Sequence, residues 1–491
     1  MSDGSQPLPA DGRVDAAAHA FTGPSTHADA VPGPEPGLLS TEHRAATVGV
    51  VGLVSVVALE AMGSAAIMPV AATALDGLFL YGFLFGGPLA ISLLGMVAAG
   101  QWSDQRGPMR AVWVGTTCFV GGLLVASIAG SVWWLLLGRL ATGLGSGMIG
   151  VALYATVGRV YPASLHSRVF AAFAAAWMLP ALVGPAVAGL VSGLLGWRWA
   201  ILVPAALALP ACAALVRVPS AAVALRETGR SKPPSRRMLW ALGASVGAVV
   251  LHLVGQAGLG DAAAAGVSIG LALCAAAAMG LLYVSARRLL PTGSLVAKRG
   301  LPAAIALSGL SQGAFFAAEA FLPLLLHREK AASVGVAGVL LSAGAVTWSA
   351  GAFVRARMHS KVSVPQMLRC GFALLGAGIA LSSLVLIPSA PVMIAVLGWA
   401  IAGAGMGLVS PTLSVVTLAL APTGTQGHVG ASLRLSAALA TTSTLAFSGA
   451  TFALLLHVNV AGAYATSLGL AALLALTGGV VAGRVEGAAR C

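Results

Sequence analysis

Three ionisable side chains stand where ionisable groups are costly. Glu60, Arg139 and Glu319 each sit inside a long stretch that carries no other charge. A charge at the centre of a hydrocarbon layer costs about 2.5–3.5 kcal/mol on insertion scales, so such a residue faces a cavity, finds a partner or serves a function. A carboxyl has one further option. Desolvation favours its protonated form and a nearby cation its ionised form, so an acid moved between the two environments takes up and releases a proton. At about 1.5 Å of rise per residue, Glu60 falls near the middle of its stretch, with Arg139 and Glu319 within a turn or two of that level. Two acids and one base in one slab point to proton coupling at Glu60 and Glu319, with Arg139 as tuner or pairing partner. A structural ion pair that only holds helices together is the alternative.

Other residues carry less specific chemistry. Gly100, Asp104, Arg106, Gly107 and Arg110 crowd an acid, two bases and two glycines into a polar loop, the makings of a latch or of a plain turn. Gly184, Pro185 and Gly189 allow a bend and close helix approach, which ordinary packing also uses. Gln312, Phe315 and Phe316 share the stretch that holds Glu319 and would line a cavity for an apolar cationic or neutral compound, or pack against neighbours. His252 and Gln256, one turn apart, would join a polar path or a helix–helix hydrogen bond. No run matches the phosphate-binding Gly-x-x-x-x-Gly-Lys-Ser/Thr pattern, and no His/Cys cluster has metal-ligand spacing. Cys118, Cys212, Cys274, Cys370 and Cys491 show no paired spacing and read as small packing residues. No cofactor and no metal is expected.

The elements that must hold these residues are membrane helices. Hydrophobic residues make up 58% of the 491-residue chain and charged residues 8%, against roughly 25% in a soluble protein. Runs of about 20 mostly apolar residues, enough to cross about 30 Å of hydrocarbon, recur fourteen times. Six lie in 45–218, two in 239–288 and six in 289–484. Residues 1–44 lack the order of a signal peptide and read as a disordered cytoplasmic tail, 219–238 as a basic loop at anionic lipid, and 485–491 as a cytoplasmic C-terminus. The tail holds two Arg against six acids, so it stands at −4 and the other 447 residues at +17, for a net +13. A basic balance can signal nucleic acid, but here the bases cluster in short links between apolar runs. With the N-terminus in the cytoplasm, 21 of the 25 Lys and Arg after residue 44 fall on the cytoplasmic side, three outside and one within a helix. That is the positive-inside asymmetry, and it puts both termini in the cytoplasm. Removing a helical pair keeps the parity, so twelve spans remain the alternative.

The two outer sets of six repeat. Leu137-Gly138-Arg139, Gly143, Gly145 and Gly147 lie over Leu397-Gly398-Trp399, Gly403, Gly405 and Gly407 at a constant offset of 260, and Glu60 and Glu319 are 259 apart. Parallel six-helix repeats with a substrate site between them at mid-membrane are an arrangement of secondary transporters.

The motifs carry a resemblance. Gly100-Gln-Trp-Ser-Asp104-Gln-Arg106-Gly107 resembles the Gly-x-x-x-Asp-x-x-Gly loop of the major facilitator superfamily, and Arg139-Leu-Ala-Thr-Gly143-Leu-Gly145 its helix-four arginine motif. Gly184-Pro185-Ala-Val-Ala-Gly189 is similar to the antiporter signature of that superfamily. Leu59-Glu60 followed by Pro69 resembles the first-helix motif of its fourteen-span drug:proton antiporters, with Glu for the usual Asp. Departures are present: Pro108-Met109 replaces the basic pair after Gly107, and the second half has neither an acid in Gly351–Arg357 nor a Gly-Pro pair in its fifth helix. The resemblance implies an all-α fold of two six-helix bundles with two inserted central helices. It also implies a multidrug antiporter of the cell membrane, driven by the proton gradient without a cofactor, and a gating latch at Asp104. The partners expected are protons, a small-molecule substrate and the bilayer, with a monomer as the working unit and no nucleic acid. A proton symporter, a metabolite exporter of narrow specificity and a non-transporting membrane sensor are the alternatives. An enzyme would need a nucleophile with a base, or a metal set, at membrane depth, and the chain is not expected to be one.

Overall fold

The computed structural model describes residues 37–218, 236–257, 265–358, 362–420, 426–456 and 458–485. Long helices follow one another: α1 (Arg44–Ala74), α2 (Tyr81–Arg106), α3 (Pro108–Ser127), α4 (Val132–Val160), α5 (Ala163–Leu195), α6 (Trp197–Val216) and α7 (Arg236–Ala257). The rest are α8 (Ala265–Leu289), α9 (Leu301–Glu329), α10 (Val334–Met358), α11 (Val364–Ser383), α12 (Met393–Ala419), α13 (Gln426–Leu456) and α14 (Val460–Val481). A helix satisfies its own backbone polar groups, which is what an apolar run in hydrocarbon demands. Thirteen helices among the described residues are long and apolar enough to cross a membrane; in α7 the apolar stretch is the shorter Met238–Val254. The protein is a multi-pass membrane protein.

The tail and loop boundaries differ in detail from the sequence reading. Residues 37–43 form turns on the bundle, where Thr47 donates to Leu38 O at 2.7 Å and the His43 ring stacks on Tyr161. Residues 1–36, 219–235 and 486–491 lie outside the described residues. The polar stretch 100–106 is the last turns of α2, not a loop. Gln, Ser and Asp tolerate a helix end that meets water, so the chain turns only at Gly107, whose φ of 86° suits glycine, and Pro108 opens α3.

Packing repeats as the sequence does. In the first half α4 packs on α2 and α3, α1 on α5 and α6, and α3 on α6; in the second, α12 packs on α10 and α11, α9 on α13 and α14, and α11 on α14. The repeated glycines explain the closeness. Gly138 backs onto α3, where a Cβ would lie 2.6 Å from Gly122 O, and Gly398 backs onto α11, where it would lie 2.7 Å from Gly378 O. The halves meet along α5–α10 and α2–α13, and the inserted α7 wedges against α2 and α13 with α8 behind it. The end of the bundle at Arg44 is called the near end here, the other the far end.

Candidate functional site

Glu60 and Arg139 meet. Both are only 7% exposed, and their ion pair is the one salt bridge among the described residues. A third group completes the cluster: Ser64, one turn on from Glu60, donates to its Oε1 at 2.8 Å and accepts from Arg139 Nη1 at 3.0 Å. Arg139 Nε donates to Leu84 O of α2 at 3.3 Å. Charge and hydrogen-bonding capacity are thus matched at a depth where neither residue is tolerated alone. Ser64 was not singled out from sequence, although a hydroxyl four residues after a buried acid falls on its face of the helix. Glu60, Ser64 and Arg139 line a small cavity with Leu123, Gly184 and Pro204.

Glu319 stands differently. It is 6% exposed and no ion pair or hydrogen bond among the described residues reaches it. The internal repeat shows why. Offsets of 259–260 carry Glu60 to Glu319, Ser64 to Pro323, Leu84 to Gly344 and Arg139 to Trp399. Pro323 has no hydroxyl to donate, and the Trp399 indole fills the room at Gly344, where a Cβ would lie 2.7 Å from its Cδ1. Phe315, one turn before Glu319 on the same face, stacks on Trp399 at 4.4 Å and meets Trp348 and Phe316 edge-on at 5.1 and 5.6 Å. Gln312, on that face too, keeps Oε1 buried without a partner. Gln312, Phe315 and Phe316 thus share α9 with Glu319, and Trp348 and Trp399 pack on Phe315. The offset of 260 had put Trp399 opposite Arg139, but nothing in the sequence said that it would face Phe315.

Gly184, Pro185 and Gly189 sit at a three-way joint. A Cβ at Gly184 would come 3.2 Å from Leu59 of α1, the neighbour of Glu60; on the other side Pro185 O lies against Gly338, and Gly189 against Val334 O of α10. Helix α5 thus links the Glu60 segment to the second half. The far end is closed between halves: Tyr81 donates to Ala320 O at 2.8 Å, its ring rests on Phe321, and the backbones of Gly82 and Gly449 touch. His252 of α7 caps this seam, its Nε2 3.2 Å from Gly82 O and its ring stacked on Phe83. The Gln256 side chain lies outside the described residues.

At the near end, Arg434 of α13 donates to Tyr154 of α4 at 3.0 Å and lies over its ring. Of the latch residues, Gly100 packs on Val151, Gly107 makes the turn and Arg110 is exposed; the side chains of Asp104 and Arg106 lie outside the described residues. Arg159 holds the end of α2 by donating to Ser103 O at 2.8 Å. Past the end of α4, burial raises the pKa of the Tyr161 phenol, and its hydrogen bond with Thr47 lowers it by less. No group of three or more metal-ligating side chains occurs among the described residues.

Known proteins share this architecture. The solved structure of a POT family transporter in complex with 5-aminolevulinic acid superposes with a TM-score of 0.67 at 16% identity, covering 92% of this chain and 99% of its own. A peptide transporter POT in complex with sulfate gives 0.64 at 17% identity, covering 92% and 96%. In sequence, a probable multidrug-efflux transporter of Mycobacterium tuberculosis is 28% identical over 350 residues, 68% of this chain and 72% of its own. A multidrug resistance protein B homolog of the same organism is 28% identical over 129 residues, 26% of this chain and 24% of its own. The family model described as Major Facilitator Superfamily matches residues 51–443, most of the chain and both halves with the inserted pair between them. This chain is a transporter, not an enzyme, and belongs to the major facilitator superfamily.

Proposed function

We propose that the protein is a proton-coupled exporter of drugs or other small amphipathic compounds, working as a monomer in the cytoplasmic membrane with both termini inside and no cofactor. The observation that carries this reading is the buried Glu60–Arg139–Ser64 cluster, packed directly behind Gly184 of the helix that joins the halves. In the arrangement described, with the far end closed, Glu60 is paired and its charge answered. Opening the far end lets a proton from outside reach Glu60; protonation removes the attraction for Arg139, and α1 is free to shift against α5. Because α5 carries the contact to α10, that shift is felt at the joint between halves, as alternating access requires. The identity to the multidrug-efflux transporter of Mycobacterium tuberculosis supports the export of drugs.

The test is transport by purified protein in liposomes under an imposed pH gradient. Wild-type protein should drive lipophilic compounds uphill against inward proton flow. Vesicles of reversed gradient distinguish antiport from the symport alternative in the same assay. Glu60→Gln should lose uphill transport while exchange down a concentration gradient survives. Uphill transport by Glu60→Gln at the wild-type rate would reduce Glu60 to a structural partner of Arg139.

A further inference from the structure

Among the buried titratable groups, His252 belongs to the inserted pair. It is 2% exposed and lies over the crossing of α2 and α13 at the far end. Glycines make the room. A Cβ at Gly86 would come 2.6 Å from His252 Nε2, and one at Gly449 3.7 Å from its Cδ2. The ring then meets two acceptors: Nδ1 is 2.8 Å from Ala248 O of its own helix, and Nε2 is 3.2 Å from Gly82 O of α2. A carbonyl oxygen only accepts, and a neutral imidazole has one N–H to give. Either neutral tautomer therefore turns a lone pair on one of the two oxygens, whereas the imidazolium donates to both. Phe83 adds a third answer to a positive charge, its ring stacked on the imidazole at 4.8 Å between centroids, since aromatic faces attract cations. Burial opposes the charge; two charge-assisted hydrogen bonds and the ring face offset it.

We propose that His252 is a second proton site, separate from Glu60, and that its imidazolium clamps the inserted pair across the closed far end. With the proton, α7 is bonded to Gly82, the residue whose backbone touches Gly449 of the other half. Without it, one of the two bonds becomes a repulsion between lone pairs. The shorter bond, within α7, is the one that survives, so the link to α2 is lost. A closed form that favours the proton is favoured by the proton in equal measure. Acid thus holds the far end shut, and rising pH releases it.

No ion pair reaches His252 among the described residues. Of the titratable groups on the elements packed against α7, Tyr81 of α2 points to Ala320 O, and Cys274 and Tyr283 of α8 are exposed. The turn at 78–80 has none, and Asp76 before it is exposed. Asp104 and Arg106 of α2, His428 and Arg434 of α13, Arg287 and Arg288 of α8, and Arg236 and Arg237 of α7 itself belong to the near-end portions of their helices.

The experiment measures distances between spin labels at Ile128 and Ile387, exposed beyond the far ends of α3 and α11, in the otherwise cysteine-free full chain. The protein is in detergent at pH 5.5 and pH 8, so both faces meet the same pH. Every sample carries Glu60→Gln, which silences the first site. The ratio of long to short distances should rise roughly five-fold or more from the acid to the basic pH, the lower end of ordinary coupling factors. Adding His252→Phe, which keeps the stack and removes both nitrogens, should abolish the change and hold the ratio at or above its parent's value at pH 8. His252→Gln, which does not titrate, should abolish it too, and decides if the Phe variant does not fold. A ratio that falls or stays level with rising pH in the parent would overturn the proposal, as would an undiminished rise in either His252 variant. Because Glu60 is silent throughout, failure of coupled export in vesicles and failure of this clamp are separate results.

Discussion

Arg139 and Glu60 are each other's reason to be buried. Removing one partner of such a pair leaves the other uncompensated and costs about 3–5 kcal/mol, whereas removing both is far cheaper. Arg139→Met should therefore lower the thermal unfolding temperature of the purified protein well below wild type, and adding Glu60→Gln should recover most of the loss. A double variant no more stable than Arg139→Met would mean that the guanidinium acts through Leu84 O and not through the pair. All three membrane-depth charges are legible in the sequence, because a charge in an apolar run is conspicuous. Which acid takes the single base is not, since both acids have the same type and similar depth. That choice lies in tertiary packing: α4 packs on α2 and against α1 within its own half, and α12 repeats the arrangement with an indole in the guanidinium's place.

Helix α5 is the element that transmits. Its glycine face lies on α1 at Leu59 and Gly63, and its Pro185 and Gly189 lie on α10, so one helix touches both the Glu60 segment and the opposite half. A glycine-and-proline signature in sequence announces close packing, not the surface packed on. The prediction follows from the joint. A Cβ at Gly338 of α10 would lie 2.8 Å from Pro185 O, a backbone atom that cannot swing aside. Gly338→Val should hold the far end apart and stall transport while leaving insertion intact. Spin labels at Ile128, past the end of α3, and Ile387, past the end of α11, both well exposed, report the gap between halves at that end. Their distance distribution should shift to longer values in Gly338→Val. An unchanged distribution with unchanged transport would remove the joint from the mechanism.

At the scale of the whole molecule, the sequence repeat and the packing repeat coincide, and the inserted pair stands outside both. Long uncharged runs made the helices legible one by one, and the 260-residue offset made the halves legible as copies. The place of α7 was not legible, because a moderately apolar helix rich in small residues fits many surfaces. Small side chains are what let it in: Ala244 and Ala248 are fully buried, Ser245 donates to Ala90 O of α2, and His252 reaches Gly82 O. Its apolar stretch, Met238–Val254, is 17 residues, short of the roughly 20 that span a bilayer alone. The helix as a whole has 22 residues, about 33 Å at 1.5 Å each, which suffices when one face is sheltered by α2 and α13. Its partner α8 packs on it and ends in Arg287 and Arg288, while α7 begins at Arg236, so the bases of the pair gather at the near end. If the near end is cytoplasmic, the link between them, which contains Asp261, faces outside. A single cysteine at Asp261 in a cysteine-free background should then react with a membrane-impermeant maleimide added to intact cells. Reaction only after the cytoplasmic face is opened would mean that α7 and α8 do not cross, leaving twelve spans and a pair held on one side of the membrane.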